Sequence, residues 1–176
     1  AIQGVTDVVP SYAALAVYYD PLSIGFDELR KLLIELTQGT TPLEDGVRVD
    51  ATLHRIRVRY DGQDLEEVAR RTGLSADEVA RIHSGSDYRV FVIGFVPGFA
   101  YLGPLDSRLV IPRRDAPRKR VPAGSVAIAE AQTGIYPSET PGGWHLIGTT
   151  HARMFDPLRQ PPALLRVGDK VRFELE

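Results

Sequence analysis

Cysteine is absent from the 176 residues, and methionine and tryptophan occur once each. The missing thiols exclude disulfides, thiolate zinc sites, iron–sulfur centres and a cysteine nucleophile together. An excess of charge of either sign is also lacking. The 21 Lys+Arg stand against 23 Asp+Glu, and a net charge of −2 gives no electrostatic reason to expect nucleic acid or an anionic membrane as partner. No apolar run approaches the ~18 residues of a spanning helix, and no basic–apolar–small leader opens the chain, so a soluble cytoplasmic protein is expected. What is present, 43% hydrophobic and 25% charged residues, suits one large globular domain or two small ones.

Several catalytic signatures are missing as well. There is no Gly-x-x-x-x-Gly-Lys-Ser/Thr phosphate loop, no Gly-x-Gly-x-x-Gly, no Gly-x-Ser-x-Gly elbow and no serine–glycine loop of the amidase kind. The histidines at 54, 83, 145 and 151 share no metal-binding spacing, so no metal site is expected and a structural role is the simpler reading.

Composition changes near residue 85. Ten of the 13 prolines and ten of the 16 glycines lie from Gly85 onward, while the charged helical patterns precede it. This predicts an α/β domain with a helical hairpin over residues 1–84 and an all-β domain over residues 85–176. In the first, residues 5–9 supply a strand and residues 13–19 read as a buried strand stopped by Asp20-Pro21. Phe26, Leu29, Leu33 and Leu36 recur at helical spacing, with Gly39 as the stop, and residues 54–60 alternate until Asp61-Gly62. Strand, strand, helix, strand resembles a split βαβ (ferredoxin-like) sandwich lacking its first strand and helix, which predicts that the N-terminus given is not the natural one.

Residues 64–83 follow as two short helices around Gly73, and Ser75 with Glu78 forms a capping box at the second. The pattern resembles a helix-turn-helix. Asp77 and Glu78 at its turn would repel a phosphate backbone, so a hairpin packing on the first half is the better reading. Strand-like runs then occur at 88–95, 109–111, 125–129, 144–147 and 170–175. Their Pro/Gly punctuation favours a closed barrel or sandwich.

Three stretches could carry a ligand. Arg113, Arg114, Arg118, Lys119 and Arg120 put five cations into eight residues among stiffening prolines, either as a solvated loop or as an anion site of paired guanidinium donors. Gly94-Phe-Val-Pro-Gly-Phe-Ala-Tyr-Leu-Gly103 mixes aromatics with glycine, so Phe99 and Tyr101 either line a pocket or plug the barrel end. Gln132, Thr133, Tyr136 and Trp144 add amide, hydroxyl and indole donors on turn-rich segments. None of these residues is a convincing nucleophile or general base.

These blocks, with Val121-Pro-Ala-Gly-Ser-Val-Ala-Ile128, Gln132-Thr-Gly-Ile-Tyr-Pro137, Pro141-Gly-Gly-Trp144 and Pro161-Pro-Ala-Leu-Leu-Arg-Val-Gly-Asp169, resemble one family in order along the chain. It is the KipI/PxpB family, also called allophanate hydrolase subunit 1 or the 5-oxoprolinase B subunit. The resemblance implies an α+β protein with a small N-terminal domain and a cyclophilin-like β-barrel. It implies a partner, the homologous barrel subunit KipA/PxpC (allophanate hydrolase subunit 2), and a third 5-oxoprolinase subunit that joins transiently. The implied activity is ATP-dependent opening of an amide, 5-oxoproline or an allophanate/urea-type substrate. ATP would be used by the complex rather than bound by this chain alone, and this chain alone would be inactive. Phe99, Tyr101, Arg113, Arg114, Arg118, Gln132, Thr133, Tyr136 and Trp144 become its candidate substrate-binding residues. The alternative is a regulatory protein that inhibits a sensor histidine kinase. Two positions depart from the family pattern: Glu130 stands where glycine is usual, and Thr149 where arginine is common.

Overall fold

The computed structural model describes residues 2–11, 14–38 and 51–176. The chain divides into two compact units, Ala1–Val47 and Arg48–Glu176. In the first unit, β1 (Val5–Pro10) and β2 (Leu15–Tyr19) form an antiparallel hairpin with an irregularity between Val5 and Asp7. Helix α1 (Phe26–Thr37) follows, with Asp27 and Glu28 in its first turn where the helix dipole favours negative charge. The expected stop at Gly39 lies outside the described residues. β2 is not the buried strand that its composition suggested. Leu15 and Tyr18 are each 57% exposed: Tyr18 lies on the face turned away from α1, and Leu15 shares with Val17 and Tyr19 the lining of an apolar groove against Leu29 and Leu33 of α1 that leaves it uncovered.

The division between the two units, Val47/Arg48, precedes the change in composition near residue 85. β3 (Leu53–Val58) runs parallel to β11 (Lys170–Leu175) from Leu53↔Lys170 to Val58↔Leu175, within the second unit. Its alternation explains this. Ile56 and Val58 are buried in one core with Val171 and Phe173, while Arg55 and Arg57 are exposed. The strand–strand–helix–strand order therefore does not form one sheet, since β1 and β2 form a two-stranded sheet by themselves among the described residues.

The second unit adds α2 (Leu65–Thr72), α3 (Ala76–Ser84), β4 (Asp87–Ile93), β5 (Ala100–Gly103), β6 (Arg118–Val121), β7 (Ser125–Ala129), β8 (Gln132–Ile135), β9 (Thr140–Gly142) and β10 (His145–Thr149). Seven strands order as β10-β7-β8-β5-β4-β11-β3, with β6 and β9 as a separate pair. Arg59, just past β3, exchanges backbone hydrogen bonds of 2.9 and 2.8 Å with Thr149 at the end of β10. The sheet therefore curls until its two edge strands meet. The helical hairpin packs on β10 and β11, and Leu65, Val68 and Val79 complete the core inside the curl. Gly73 caps α2 in the left-handed region (φ 72°), and the Ser75–Glu78 capping box forms as read. Residues 109–111 are not a strand: Ser107–Leu109 is a 3₁₀ turn, and Ile111 makes one isolated bridge to Glu130. No helix among the described residues is long and apolar enough to cross a membrane.

β7 shows how sequence builds both sides of the sheet. Val126 and Ile128 fill the interior, whereas Ala127 and Ala129 face a second cluster with Phe99, Tyr136, Trp144 and Leu146. Two alanines on that face leave room for three large rings, and all five β7 residues are buried.

Candidate functional site

Phe99, Tyr101, Arg113, Arg114, Tyr136 and Trp144 come together with Phe95, Pro117 and the 141–143 turn around a cleft of about 290 Å³. β5 brings Tyr101, with Phe99 just before it. Tyr136 follows β8, Trp144 precedes β10, and the arginines lie between Pro112 and β6. Phe99, 2% exposed, is the hub. Its ring centre lies 4.9 Å from Tyr101, 5.2 Å from Tyr136, 5.5 Å from Trp144 and 5.6 Å from Phe95. All four pairs are close to edge-to-face, the arrangement aromatic quadrupoles prefer. Two glycines make this possible. A Cβ on Gly134 would sit 3.0 Å from the Ala100 carbonyl oxygen and 3.1 Å from Phe99 Cζ, and one on Gly142 would run into the Tyr136 hydroxyl. Phe95 lies at the mouth, 60% exposed and at φ 73°, a conformation that costs a residue with a Cβ about 1–2 kcal/mol.

Three ties fix the arginine segment. His145 Nε2 donates to the Pro112 carbonyl at 3.0 Å, and the Arg114 amide donates to Gly143 O at 2.9 Å. Arg114 Nη1 also donates to Asp64 Oδ1 at 3.1 Å and to Glu67 Oε2 at 3.3 Å. Asp64 opens α2 and is 3% exposed. Its Oδ1 also accepts from Arg118 Nη2, and its Oδ2 accepts from the Leu146 amide at 2.7 Å. Arg114 and Arg118 are thus compensated by carboxylates behind the cleft. Arg114 Nε and Arg118 Nη1 nevertheless remain buried without a partner among the described residues. Arg113 differs. Among the described residues it is held only by Glu130 at 3.6 Å, both side chains being more than half exposed, a weak pairing in high dielectric.

The other predicted residues are placed elsewhere. Arg118 is tied to Asp64 and does not line the cleft. Gln132 is 9% exposed at the start of β8, opposite Ala129. Thr133 is fully buried on the opposite face, where its Oγ1 lies 2.7 Å from His83 Nε2 and donates to Ala127 O at 3.0 Å. Sequence reasoning missed Phe95, which belonged to the aromatic stretch it singled out. It also missed Asp64 and Glu67, which nothing local marks as partners of arginines some fifty positions away.

Chemically, the lining holds no carboxylate, imidazole, amine, thiol or aliphatic hydroxyl among the described residues. Burial raises the pKa of the Tyr136 hydroxyl, with the Trp144 backbone, Arg113 and Arg118 opposing it, so the phenol stays protonated at neutral pH. The cleft can bind and orient, and it offers no group to attack or to take a proton.

The chain matches the model of the carboxyltransferase domain, subdomain C and D, over residues 1–165. It is 39% identical to the 5-oxoprolinase B subunit of Bacillus subtilis (strain 168), covering 97% of this chain and 75% of that one. It is 42% identical to the 5-oxoprolinase B subunit of Escherichia coli O157:H7, covering 97% and 78%. The chain belongs to the KipI/PxpB family. Among solved structures, conserved uncharacterized protein PH0987 from Pyrococcus horikoshii superposes with a TM-score of 0.69 at 41% identity, over 98% of this chain and 79% of that one. The K. lactis urea amidolyase shares the fold at a TM-score of 0.70 and 18% identity, over 98% of this chain and 12% of that one. Within the KipI/PxpB pattern, the two unusual residues now have places. Glu130 sits at φ 52° in the β7–β8 turn, a backbone that suits glycine, and faces Arg113. Thr149 lies at the sheet closure, where its hydroxyl donates to Asp61 Oδ1 at 2.8 Å, and it does not line the cleft.

Proposed function

We propose that this chain is the binding subunit of an ATP-dependent amide-opening hydrolase of the 5-oxoprolinase type. The observation that carries the reading is the aromatic cleft itself: apolar walls and guanidinium groups assembled with no nucleophile or base among them. Such a site can seat a small carboxylate-bearing amide while the reacting groups come from elsewhere. The curled sheet closed at Arg59–Thr149 corresponds in this reading to a cyclophilin-like barrel, and the two strands and helix of the first unit to part of a split βαβ domain. The missing chemistry would come from a homologous barrel subunit of the KipA/PxpC kind and a third subunit, with ATP used by the assembled complex in the cytoplasm. 5-Oxoproline is the leading substrate because both curated relatives above are named as B subunits of 5-oxoprolinase. An allophanate or urea-type amide is second.

The test is ATP hydrolysis and glutamate release from 5-oxoproline by the reconstituted complex, each component omitted in turn. Turnover that needs every component supports the reading. Turnover unchanged without this chain overturns it, and an assembled but inactive complex moves the assignment to another amide.

A further inference from the structure

The cleft lining has a second property, which concerns what it can recognise. Its polar side chains are two guanidinium groups, two phenols and one indole N–H; the only formal charges among them are positive, and the phenols are the only side-chain oxygens. A bound ammonium would find ring faces that attract it but no carboxylate or amide side chain to neutralise it, and the cations Arg113 and Arg114 in the same lining would repel it. A carboxylate would find donors, and an apolar ring would find the faces and edges of Phe99, Tyr101 and Trp144.

The arginines are not equivalent hands. Arg114 is committed to Asp64 and Glu67, and its free Nε is buried where a ligand in the cleft does not reach. Arg113 lines the cleft and, among the described residues, makes no hydrogen bond to another side chain and is opposed only by exposed Glu130 at 3.6 Å. It is therefore the guanidinium able to turn its paired donors onto a carboxylate.

We propose that the cleft selects compact ring carboxylates through Arg113 and excludes their amino-bearing, ring-opened counterparts. This takes the cleft as the substrate site and so rests on the reading above. Its consequence for that reaction is directional. Hydrolysis of a lactam frees an ammonium group, for which the lining offers no counter-charge beside Arg113 and Arg114, so the site holds the closed ring and releases the opened product.

Trp144 is the only tryptophan, and it lines the cleft, so its fluorescence reports occupancy directly. The chain is titrated with 5-oxoproline, cyclopentanecarboxylate, cyclopentylamine and glutamate. Saturable changes with the two ring carboxylates, and at least tenfold weaker binding of the amine and of glutamate, are the expected result. In Arg113→Gln the carboxylate preference should be lost with the melting temperature unchanged, whereas Lys119→Gln, outside the lining, should keep it. Amine bound as tightly as acid, no saturable response to any of the four, or an unaltered preference in Arg113→Gln overturns the proposal. Turnover of 5-oxoproline by the complex separates the two ideas. Turnover without carboxylate preference removes the inference and leaves the function, and preference without turnover does the reverse.

Discussion

Two buried polar clusters in the second unit are built on opposite terms. Inside the curled sheet, the Tyr60 hydroxyl donates to His83 Nδ1 at 2.7 Å. His83 Nε2 donates to Thr133 Oγ1 at 2.7 Å, and Thr133 donates to Ala127 O at 3.0 Å. Tyr88 donates to His83 O at 2.8 Å, and the imidazole stacks on Phe173 at 4.5 Å. Every member is neutral: burial takes His83 down to about 3 and raises both tyrosines. Behind the cleft, by contrast, Asp64 holds two guanidinium groups, each with one nitrogen left unpaired. A satisfied neutral network specifies a core. A charged, incompletely satisfied one is tolerated beside a binding site, where it fixes which cations are spent and which remain for a ligand.

The strongest way to break the comparison is Asp64→Ala. It strands two largely buried arginines and the Leu146 amide at once, so it should cost about 3–5 kcal/mol in urea unfolding. Asp64→Asn keeps an acceptor for the amide and should lose less. A loss below about 1 kcal/mol in Asp64→Ala would mean that the arginines find other partners and that the cluster is not organised around this carboxylate.

The neutral cluster answers to pH instead. His83 has a folded pKa of about 3 against an ordinary 6.5, so below pH 6.5 the unfolded chain takes up a proton that the folded chain refuses. Its contribution is complete above 6.5 and is lost on acidification. Between pH 6.5 and 4.5, above most carboxylate titration, stability should fall by about 2–3 kcal/mol. His83→Gln should start less stable and show a flatter slope over that window. An equal slope in the two proteins would assign the acid sensitivity elsewhere.

Much of this was legible locally. The Ser75–Glu78 box, the alternation of residues 54–60 and the strands at 125–129 and 170–175 all depend on neighbours a few positions away. What was not legible is long-range or disguised. Nothing near residue 53 says that β3 will lie against Lys170–Leu175, so its place in the second unit's sheet could not be read there. β8 is only four residues, Gln, Thr, Gly and Ile, with a glycine in its interior, and it read as a ligand loop. Its period of two sends Thr133 inward to His83, while Gly134 lies beneath the rings of the cleft. The cleft's composition could be read from sequence, but the separation of Arg113 from Arg114 and Arg118 required Asp64, an ordinary helix-start aspartate.

Gly134 tests the cleft side by volume. Gly134→Ala adds one methyl at 3.0 to 3.3 Å from the Ala100 carbonyl, Phe99 and Trp144, and should cost about 1–3 kcal/mol. The Trp144 emission should shift with it. Loss of stability without that shift would place the strain in the backbone rather than in the ring cluster.

The smallest expected effect separates strain from charge at the residue opposite Arg113. Glu130 holds φ 52°, a conformation costing about 1–2 kcal/mol that glycine adopts without penalty. Glycine also leaves the unfolded chain more flexible, which returns about 0.5–1 kcal/mol of that gain. Glu130→Gly should therefore be more stable by about 0.5–1 kcal/mol, and it also removes the one carboxylate paired with Arg113. Glu130→Gln removes the charge and keeps the strain. If Arg113 is the cleft's carboxylate-binding group, both variants should tighten binding of cyclopentanecarboxylate by a similar small factor, while only the glycine variant gains stability. A gain in affinity confined to Glu130→Gly would instead trace the effect to the β7–β8 turn, and Arg113 would lose its claim to be the group that Glu130 restrains.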